Sequence, residues 1–236
     1  MEVQVAVAKI NKYATSESGD TLEVIERPNG GLSVVLADGQ TSGPGAKAIS
    51  MMVVRKVISL LAEGVRDGAA ARAASDALYT EKKGKVSCTL NILSVDLQSG
   101  TIVLTRNNPA PIFVCLGDEI QRMESVTSPI GIARNIRPLI TELNLTPGLT
   151  IIVCTDGLIH AGSRHGRSPE IETTLRALME ERQPSPQEIA DALLNLALML
   201  DEGRPLDDIS VVVLRVLANG RDNVRRMSVR LPIRVL

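Results

Sequence analysis

The order of strand-like and helix-like segments is the feature that most constrains how this chain can fold. Three short β-branched segments come first, then two helical ones, a long block of strands, a second helix pair and a last strand. Consecutive strands pair as antiparallel neighbours, whereas parallel strands need a helix between them, so this order argues against a βαβ alternation. Two antiparallel sheets packed face to face, each covered by a helix pair, would bury every apolar stripe. The sequence therefore predicts an α+β fold, a four-layer α-β-β-α sandwich.

Turn residues and helix caps mark several boundaries of these segments. Pro28-Asn29-Gly30-Gly31 predicts a hairpin turn between the strands Thr21–Arg27 and Leu32–Asp38. Ser185-Pro186-Gln187-Glu188 has the Ser-x-x-Glu capping box with Pro at the first helical position, which predicts a helix start. The final strand is predicted over Ile209–Leu217.

The chain has only three aromatic residues, Tyr13, Tyr79 and Phe113, so its core must be aliphatic. Single-stranded nucleic acid is usually bound by stacking on aromatic side chains, a platform that is nearly missing here. The formal net charge is −1, which also gives no electrostatic reason to expect nucleic-acid binding. No nucleic-acid partner is predicted.

The three cysteines, Cys88, Cys115 and Cys154, lie far apart inside apolar runs. An odd number without Cys-x-x-Cys spacing favours buried, reduced thiols over a disulfide framework or a zinc site. The start of the chain lacks a basic region followed by an apolar one, and no apolar run is long enough to cross a bilayer. We therefore expect a cytoplasmic protein with no membrane contact.

Charge is distributed unevenly between residues 1–218, predicted to form one folded domain, and 219–236, predicted to be a basic tail. The tail carries a net charge of +4, and the rest of the chain sums to −5. An added β-strand over Met227–Leu236, a dimer contact, a docking arm for an acidic partner and a solvated end all fit this composition. Pro232 restricts an added strand to a sheet edge. The charged tail residues are Arg221, Asp222, Arg225, Arg226, Arg230 and Arg234.

Aspartates recur where predicted apolar strands begin or end. Asp38 and Asp156 each end such a strand, Asp207 and Asp208 directly precede one, and Asp20 comes just before another. A lone Asp-Gly dipeptide is more often a turn than a ligand. The repetition favours a site, because several carboxylates gathered together repel one another unless cations intervene. Oxygen-only ligands without Cys or His suit Mg²⁺, Mn²⁺ or Ca²⁺ rather than zinc or copper.

The motifs around these aspartates resemble the metal-dependent protein phosphatase 2C (PPM) family, especially its compact bacterial SpoIIE-like and RsbX-like branch. They occur in the family's order over about residues 3–217. The most specific are Ala37-Asp38-Gly39 and Asp207-Asp208-Ile209-Ser210-Val211-Val212-Val213. The others are Ser18-Gly19-Asp20, Ser42-Gly43, Arg106-Asn107-Asn108-Pro109-Ala110-Pro111, Ser128-Pro129-Ile130-Gly131 and Cys154-Thr155-Asp156-Gly157-Leu158.

The resemblance implies two divalent cations, Mn²⁺ or Mg²⁺, and a role for each matching residue. Asp38 would bridge both cations, and the Gly39 carbonyl would bind one. Asp156 and Asp207 would hold one ion, and Asp20 the other, directly or through water. Asp208 ranks below Asp207 as a ligand. Catalysis by Asp38, Asp156 and Asp207 would act through a metal-bound hydroxide that attacks phosphorus in line with the departing serine or threonine oxygen.

Two positions depart from the family pattern. Gln40 stands where many members have a His suited to protonating the leaving group, and Asn108 replaces a His common in the SpoIIE-like branch. No clear match exists for the N-terminal Arg that grips phosphate in some members. Beyond Asp156, the segment with His160, Arg164 and His165 is predicted as a solvated loop, and it is also the first candidate for substrate contact.

The leading functional hypothesis is hydrolysis of phosphoserine or phosphothreonine on a regulatory protein. The resemblance implies that this partner is a STAS-domain or stressosome protein of a bacterial stress response. A catalytically weak module that binds phosphoproteins through the same fold is the main alternative. A hydrolase of small phosphorylated metabolites is a more distant one. Serine-hydrolase chemistry is disfavoured because no Gly-x-Ser-x-Gly motif occurs.

Overall fold

The structure is a computed structural model that describes residues 1–181, 183–218 and 224–232. Its strands are β1 (Glu2–Ile10), β2 (Asp20–Glu26), β3 (Leu32–Gly39), β4 (Cys88–Asp96), β5 (Thr101–Asn107), β6 (Ile112–Leu116), β7 (Glu119–Met123), β8 (Leu139–Asn144), β9 (Thr150–Cys154) and β10 (Ile209–Leu217). Its helices are α1 (Pro44–Ala62), α2 (Asp67–Lys82), α3 (Asp156–Ile159), α4 (Ile171–Glu181) and α5 (Pro186–Leu200), with a 3₁₀ turn at Ser163–His165.

The strands form two five-stranded sheets in which every neighbouring pair is antiparallel. The first sheet has the order β1-β10-β9-β6-β7, and the second has the order β2-β3-β4-β5-β8. Helices α1 and α2 pack against the second sheet, and α4 and α5 against the first. The predicted α-β-β-α sandwich is confirmed.

Three apolar layers correspond to the three interfaces of this sandwich. Alternation along β10 shows how one strand serves two of them, because successive side chains of a strand point to opposite faces. Val211 and Val213 pack with the α4–α5 layer, whereas Val212 and Leu214 pack between the sheets. The core is mainly aliphatic, as predicted, with Phe113 as its one aromatic among the buried described residues.

The predicted turn and cap are present. The hairpin between β2 and β3 closes through Arg27 N–H donating to the Gly31 carbonyl at 2.7 Å. Ser185 forms the complete capping box with Glu188 at the start of α5. The thiols of Cys88, Cys115 and Cys154 are free and buried.

Residues 224–232 of the tail adopt no regular secondary structure. The added strand over Met227–Leu236, one of the alternatives for the tail, is therefore not formed through residue 232, and the remaining four positions lie outside the described residues, as do Arg221 and Asp222. Arg225 contacts the β2–β3 hairpin, where its Nη2 donates to the Gly30 carbonyl at 2.8 Å. Within the described ranges, none of the helices is both long and apolar enough to cross a membrane.

Candidate active site

Two of the predicted acidic residues face each other across neighbouring strands. Asp20 is the first residue of β2, and it pairs in register with Asp38 near the end of β3. This differs slightly from the sequence expectation, which placed Asp20 just before the strand. The antiparallel ladder thus holds two carboxylates side by side at one end of the second sheet.

The Asp20 carboxylate is completely buried and is held by hydroxyl groups from the opposite sheet. Its Oδ2 accepts hydrogen bonds from Ser210 Oγ at 2.5 Å and from Thr155 Oγ1 at 3.1 Å. Its Oδ1 is buried and has no hydrogen-bond donor among the described residues while Asp38 is ionised, although a protonated Asp38 would donate to the Asp20 carboxylate. A buried carboxylate oxygen without a donor is costly unless another ligand, such as a cation, satisfies it.

Asp38 lies at the centre of the acidic residues. Burial, together with the negative charges of Asp20, Asp156 and Asp207, raises the pKa of Asp38 to about 9. Burial likewise raises the pKa of Asp20 to about 6, against the opposing effect of its bond from Ser210. Like charges in a desolvated site cannot all ionise without compensation. The fold therefore brings these carboxylates close enough to interact.

Asp156 and Asp207 reach this end of the molecule from the first sheet. Asp156 opens the short helix α3, two residues past the end of β9, so it does not end a strand as the sequence suggested. Asp207 lies two residues before β10, and burial and the charge of Asp156 raise its pKa. Gly157 allows these segments to meet, since a Cβ there would lie 2.1 Å from the Asp208 carbonyl oxygen.

Asp208 has a different role from its neighbour. Its carboxylate is buried and accepts two backbone hydrogen bonds, from Lys12 N–H at 2.9 Å and from Gly19 N–H at 2.8 Å. These bonds fix the loop between β1 and β2, and with it the start of β2 that carries Asp20. Asp208 is thus committed to backbone donors, which agrees with ranking it below Asp207 as a ligand.

The Gly39 predicted for cation binding ends β3, against the first turns of α1. A Cβ at this position would lie 2.1 Å from the Ala46 carbonyl oxygen, so only glycine fits there. Its backbone is thereby fixed beside Asp38 by the packing of the helix on the strand.

Three lysines surround the acidic residues. The Nζ atoms of Lys9 and Lys47 both donate to the Asp20 carbonyl oxygen, at 2.7 and 2.8 Å. The Nζ of Lys12 lies 3.5 Å from Ser42 Oγ, and its charge lowers the pKa of Asp207. These cations offset part of the negative charge without forming an ion pair with any of the candidate ligands among the described residues.

The segment after α3 is more ordered than the predicted solvated loop, although its charged side chains are exposed. His160 ends α3, while Arg164 and His165 lie in the 3₁₀ turn, and His165 Nδ1 is 3.9 Å from Glu202 Oε1. Asp201 fixes this segment, because its Oδ1 accepts from Gly162 N–H at 2.7 Å. His160 touches the acidic cluster only through its backbone, where its N–H donates to the Asp156 carbonyl at 2.9 Å. Among the described residues, the side chains of His160, Arg164 and His165 form no hydrogen bond with the acidic carboxylates.

The side chains at the two departures from the family pattern are amides that hydrogen-bond backbone groups. Gln40 Oε1 accepts from Ser87 N–H at 2.8 Å. The Asn108 amide nitrogen donates to the Cys154 carbonyl at 3.1 Å, and its oxygen accepts from Ala110 N–H at 2.9 Å. Both residues therefore tie strands and loops together.

The acidic residues fit divalent cations by chemistry. They offer carboxylate oxygens, a buried Oδ1 without a donor, and crowding that cations would relieve. No three His, Cys, Asp or Glu side chains in the described part of the chain form a preassembled metal-binding group. The site thus supplies suitable ligands without fixing them in a coordination sphere.

Sequence reasoning missed three contributors to this site. Thr155 and Ser210 bond Asp20 directly, and Lys12 lies beside Ser42 and Asp207. Thr155 and Ser210 were visible inside the acidic motifs, next to Asp156 and Asp208, so their position was a usable signal. Lys12 lies in no recognised motif and required the fold to be noticed.

Two antiparallel sheets between helix pairs, with aspartates meeting at one end, define the class as the PP2C (PPM) phosphatase fold. The chain belongs to the stage II sporulation protein E (SpoIIE) family, whose sequence model matches residues 28–217. The resemblance to the SpoIIE-like branch is confirmed. A stage II sporulation protein E from Bacillus subtilis is 24% identical over 199 residues, which is 84% of this chain. The chain spans only 24% of that relative and 37% of the one from Priestia megaterium.

Solved structures agree with the fold. The PP2C phosphatase domain of SpoIIE from Bacillus subtilis, solved with a fragment of its regulatory domain, has a TM-score of 0.80 at 24% identity and covers 92% of this chain and 64% of its own. The catalytic domain of the serine/threonine phosphatase PstP, in complex with two manganese ions, has a TM-score of 0.69 at 17% identity and covers 91% and 98%. RsbX in complex with magnesium has a TM-score of 0.68 at 17% identity and covers 91% and 95%.

Proposed function

We propose that this chain hydrolyses phosphoserine or phosphothreonine on a regulatory protein, using two divalent cations, Mn²⁺ or Mg²⁺. The observation that carries the proposal is the position of Asp38, whose pKa is raised by burial and by three other carboxylates that are distant in sequence. A buried acidic cluster of this kind is destabilising on its own, and it is useful when cations bind there.

The cation ligands in this proposal are Asp38, Asp156, Asp207, Asp20 and the Gly39 carbonyl. Asp38 would be the central ligand of this set, since its charge interacts with all three other carboxylates. Asp208 serves as an anchor for the β1–β2 loop. Bound cations would supply Lewis-acid activation of water and neutralise charge on the phosphoryl oxygens.

The chain's own groups would orient this chemistry. Ser210 and Thr155 hold the Asp20 carboxylate in one orientation through its Oδ2, which leaves Oδ1 for a cation. The Lys12 ammonium, beside Asp207, is placed to attract a phosphate anion and takes the role of the Arg that the sequence lacks. His160, Arg164 and His165 would contact the protein substrate farther from phosphorus.

The partner we propose is a phosphorylated STAS-domain or stressosome protein in the cytoplasm. Membership of the SpoIIE family and the shared fold with RsbX support this partner. The test is release of phosphate from a purified phosphorylated STAS-domain protein, compared with phosphocasein and with a panel of sugar phosphates and nucleotides. Preference for the STAS-domain protein is expected. Faster turnover of a small metabolite would instead favour the metabolite hydrolase.

The activity itself is tested with p-nitrophenyl phosphate in Mn²⁺, in Mg²⁺ and in EDTA. Turnover should require a divalent cation and should be lost in Asp38→Asn, while Arg55→Gln, an exposed change on α1, should have no effect. Cation-independent turnover, or full activity of the Asp38 variant, would contradict the proposal.

One observation favours the alternative of a phosphoprotein-binding module. Gln40 and Asn108 carry amide side chains, which do not titrate, so neither position supplies a general acid. A slow enzyme or a pure binder would share this feature. Tight, Mn²⁺-dependent binding of a phosphopeptide without any phosphate release would identify the binder.

A further inference from the structure

Three exposed cations lie near one half-buried aromatic ring at the C-terminal end of α2. The Arg134 guanidinium lies 5.1 Å from the centre of the Tyr79 ring, a cation–π distance. The same ring lies against Gly84, where a Cβ would be 2.8 Å from Tyr79 Cε2. Lys83 and Lys85 flank that glycine and are exposed, as is Arg134. We call Lys83, Lys85 and Arg134 around Tyr79 the Tyr79 basic surface.

The backbone keeps these cations together. Lys83 ends α2 in the left-handed conformation, with φ of 54°, and Gly84 follows it with φ of 69°. The loop carrying Arg134 is attached to the same region, because Ile130 and Cys88 exchange backbone hydrogen bonds of 3.1 and 2.9 Å. The charges are thus held in place by backbone structure.

Few negative charges neutralise this surface. Among the described residues, Lys83 and Lys85 have no ion pair, while Glu81 is engaged with Lys82 at 2.9 Å. Asp76 lines a small pocket of about 200 Å³ together with Arg134. A positive surface remains on a chain whose net charge is −1.

The Tyr79 basic surface is connected to the acidic cluster through a short stretch of backbone. Ser87, two residues after Lys85, exchanges hydrogen bonds with Gln40, and Gln40 is two residues after Asp38. At roughly 3.3 Å per extended residue and about 5 Å between strands, Lys85 and Asp38 are within roughly 20 Å. About six residues of an extended peptide span that distance.

We propose that the Tyr79 basic surface binds an acidic stretch of the phosphoprotein substrate, about four to six residues from the phosphorylated side chain. This inference rests on the proposed function and adds a recognition element to it. The positive charges of the Tyr79 basic surface attract negatively charged residues. This attraction would draw an acidic segment of the substrate toward the surface while the phosphorylated side chain lies at the active site. A phosphate flanked by neutral residues would lack this attraction.

The test compares two phosphothreonine peptides of equal length. One peptide carries three acidic residues at four to six positions from the phosphothreonine, and the other carries Gln at the same positions. The pair is made twice, with these positions before the phosphothreonine in one version and after it in the other. We expect kcat/KM of the wild-type protein to favour the acidic peptide about fivefold at low salt, since exposed ion pairs are individually weak, and to lose the preference at high salt. Lys83→Gln/Lys85→Gln/Arg134→Gln should reduce the ratio to about 1.

Two controls separate this surface from the catalytic chemistry. Turnover of p-nitrophenyl phosphate should be unchanged in the triple variant. The matched variant Arg55→Gln/Lys56→Gln/Arg72→Gln removes three exposed cations elsewhere and should keep the peptide preference. Thermal unfolding of both variants checks that each is folded. If the triple variant does not fold, the double variant Lys83→Gln/Lys85→Gln replaces it, because it keeps the contact between Arg134 and Tyr79.

A binding experiment keeps the inference testable if the chain proves not to be a phosphatase. Fluorescence anisotropy of the labelled acidic peptide in EDTA should give a Kd about fivefold lower for wild type than for the triple variant. Equal affinity, or no wild-type preference in either assay, overturns the proposal. So does stronger binding of a single-stranded RNA oligonucleotide at the same surface. Loss of cation-dependent turnover with peptide binding intact would reject the proposed function alone.

Discussion

The two ends of β2 bury charge in opposite ways. At the far end, Arg27 forms a largely buried ion pair of 2.8 Å with Asp67 and donates to the Val65 carbonyl. At the near end, Asp20 meets Asp38, a like charge, and one of its buried oxygens has no partner. A paired buried charge is compatible with a folded chain, whereas an unpaired one raises pKa values and costs stability. The first end stabilises the fold, and the second is a site prepared for cations.

The largest expected effect follows from removing the central carboxylate. Asp38→Asn should lower Mn²⁺-dependent turnover of p-nitrophenyl phosphate by more than about 100-fold. Loss of a residue that only hydrogen-bonds to a metal ligand typically costs roughly 10- to 100-fold, and loss of a ligand itself should cost more. It should also raise the Tm of the cation-free protein, because one member of the like-charge cluster is gone. The control is Asp118→Asn on an exposed turn, which should alter neither quantity. A lower Tm of the cation-free variant would show that Asp38 stabilises the fold. The two ends of β2 would then not differ in how their charged residues affect stability.

The opposite result is expected at the far end of β2. Arg27→Met removes one partner of a buried pair and should lower the free energy of unfolding by about 3 kcal/mol, because Asp67 is left buried and unpaired. For a chain of this length that corresponds to roughly 6 to 12 °C in Tm. The kcat/KM for p-nitrophenyl phosphate and its Mn²⁺ dependence should be unchanged at a temperature where the variant is folded. Urea unfolding provides the measurement, and Arg27→Met/Asp67→Leu should recover part of the loss.

A third prediction concerns the pH dependence of stability without cations. The pKa of Asp20 is raised to about 6 and that of Asp38 to about 9, so the folded state favours their protonated forms. The stability they contribute is complete below their unfolded pKa near 4 and is lost as pH rises through these folded values. In EDTA, Tm should therefore fall by roughly 10 °C between pH 5 and pH 8.5.

Cations should reverse that trend, because they bind the ionised carboxylates and stabilise the folded state as pH rises. Scanning calorimetry in EDTA and in Mn²⁺ across this pH range measures both slopes. The Asp38→Asn variant should flatten the EDTA slope. A Tm that rises with pH in EDTA would mean that these carboxylates are ionised and compensated in the folded state.

The sequence was sufficient for the fold because its information is periodic and local. Block order, the turn at Asn29-Gly30 and the capping box at Ser185 each specify an element without reference to distant residues. The convergence of Asp38 with Asp156 and Asp207 was inferred from the repeated position of acids at strand boundaries. That inference needed no knowledge of which strands are neighbours.

The remaining features depend on contacts between segments far apart in sequence. The bonds from Ser210 and Thr155 to Asp20 join residues 190 and 135 positions apart, across the two sheets. The commitment of Asp208 to the backbone of Lys12 and Gly19 likewise exists only after the sheets pack. Local patterns cannot distinguish such an anchor from a free carboxylate beside it.

The smallest expected effect concerns Lys12, a cation near the acidic end of β2. Arg27 at the other end forms an ion pair with Asp67, whereas Lys12 forms no ion pair among the described residues. If its ammonium attracts the substrate phosphate, Lys12→Met should lower kcat/KM for p-nitrophenyl phosphate about tenfold, mostly through KM, as expected for loss of one hydrogen bond to a charged group. Lys12→Arg should retain most of the activity, and Lys56→Met on the exposed face of α1 should retain all of it.

The Mn²⁺ concentration at half-maximal activity separates this role from a structural one. Removing a positive charge beside Asp207 makes the site more attractive to a cation, so Lys12→Met should need the same or less Mn²⁺. A requirement for more Mn²⁺, together with a lower kcat and an unchanged KM, would mean that Lys12 positions the ligands. The acidic end of β2 would then be compensated partly by the protein itself, as its far end is, and the contrast between the two ends would be one of degree.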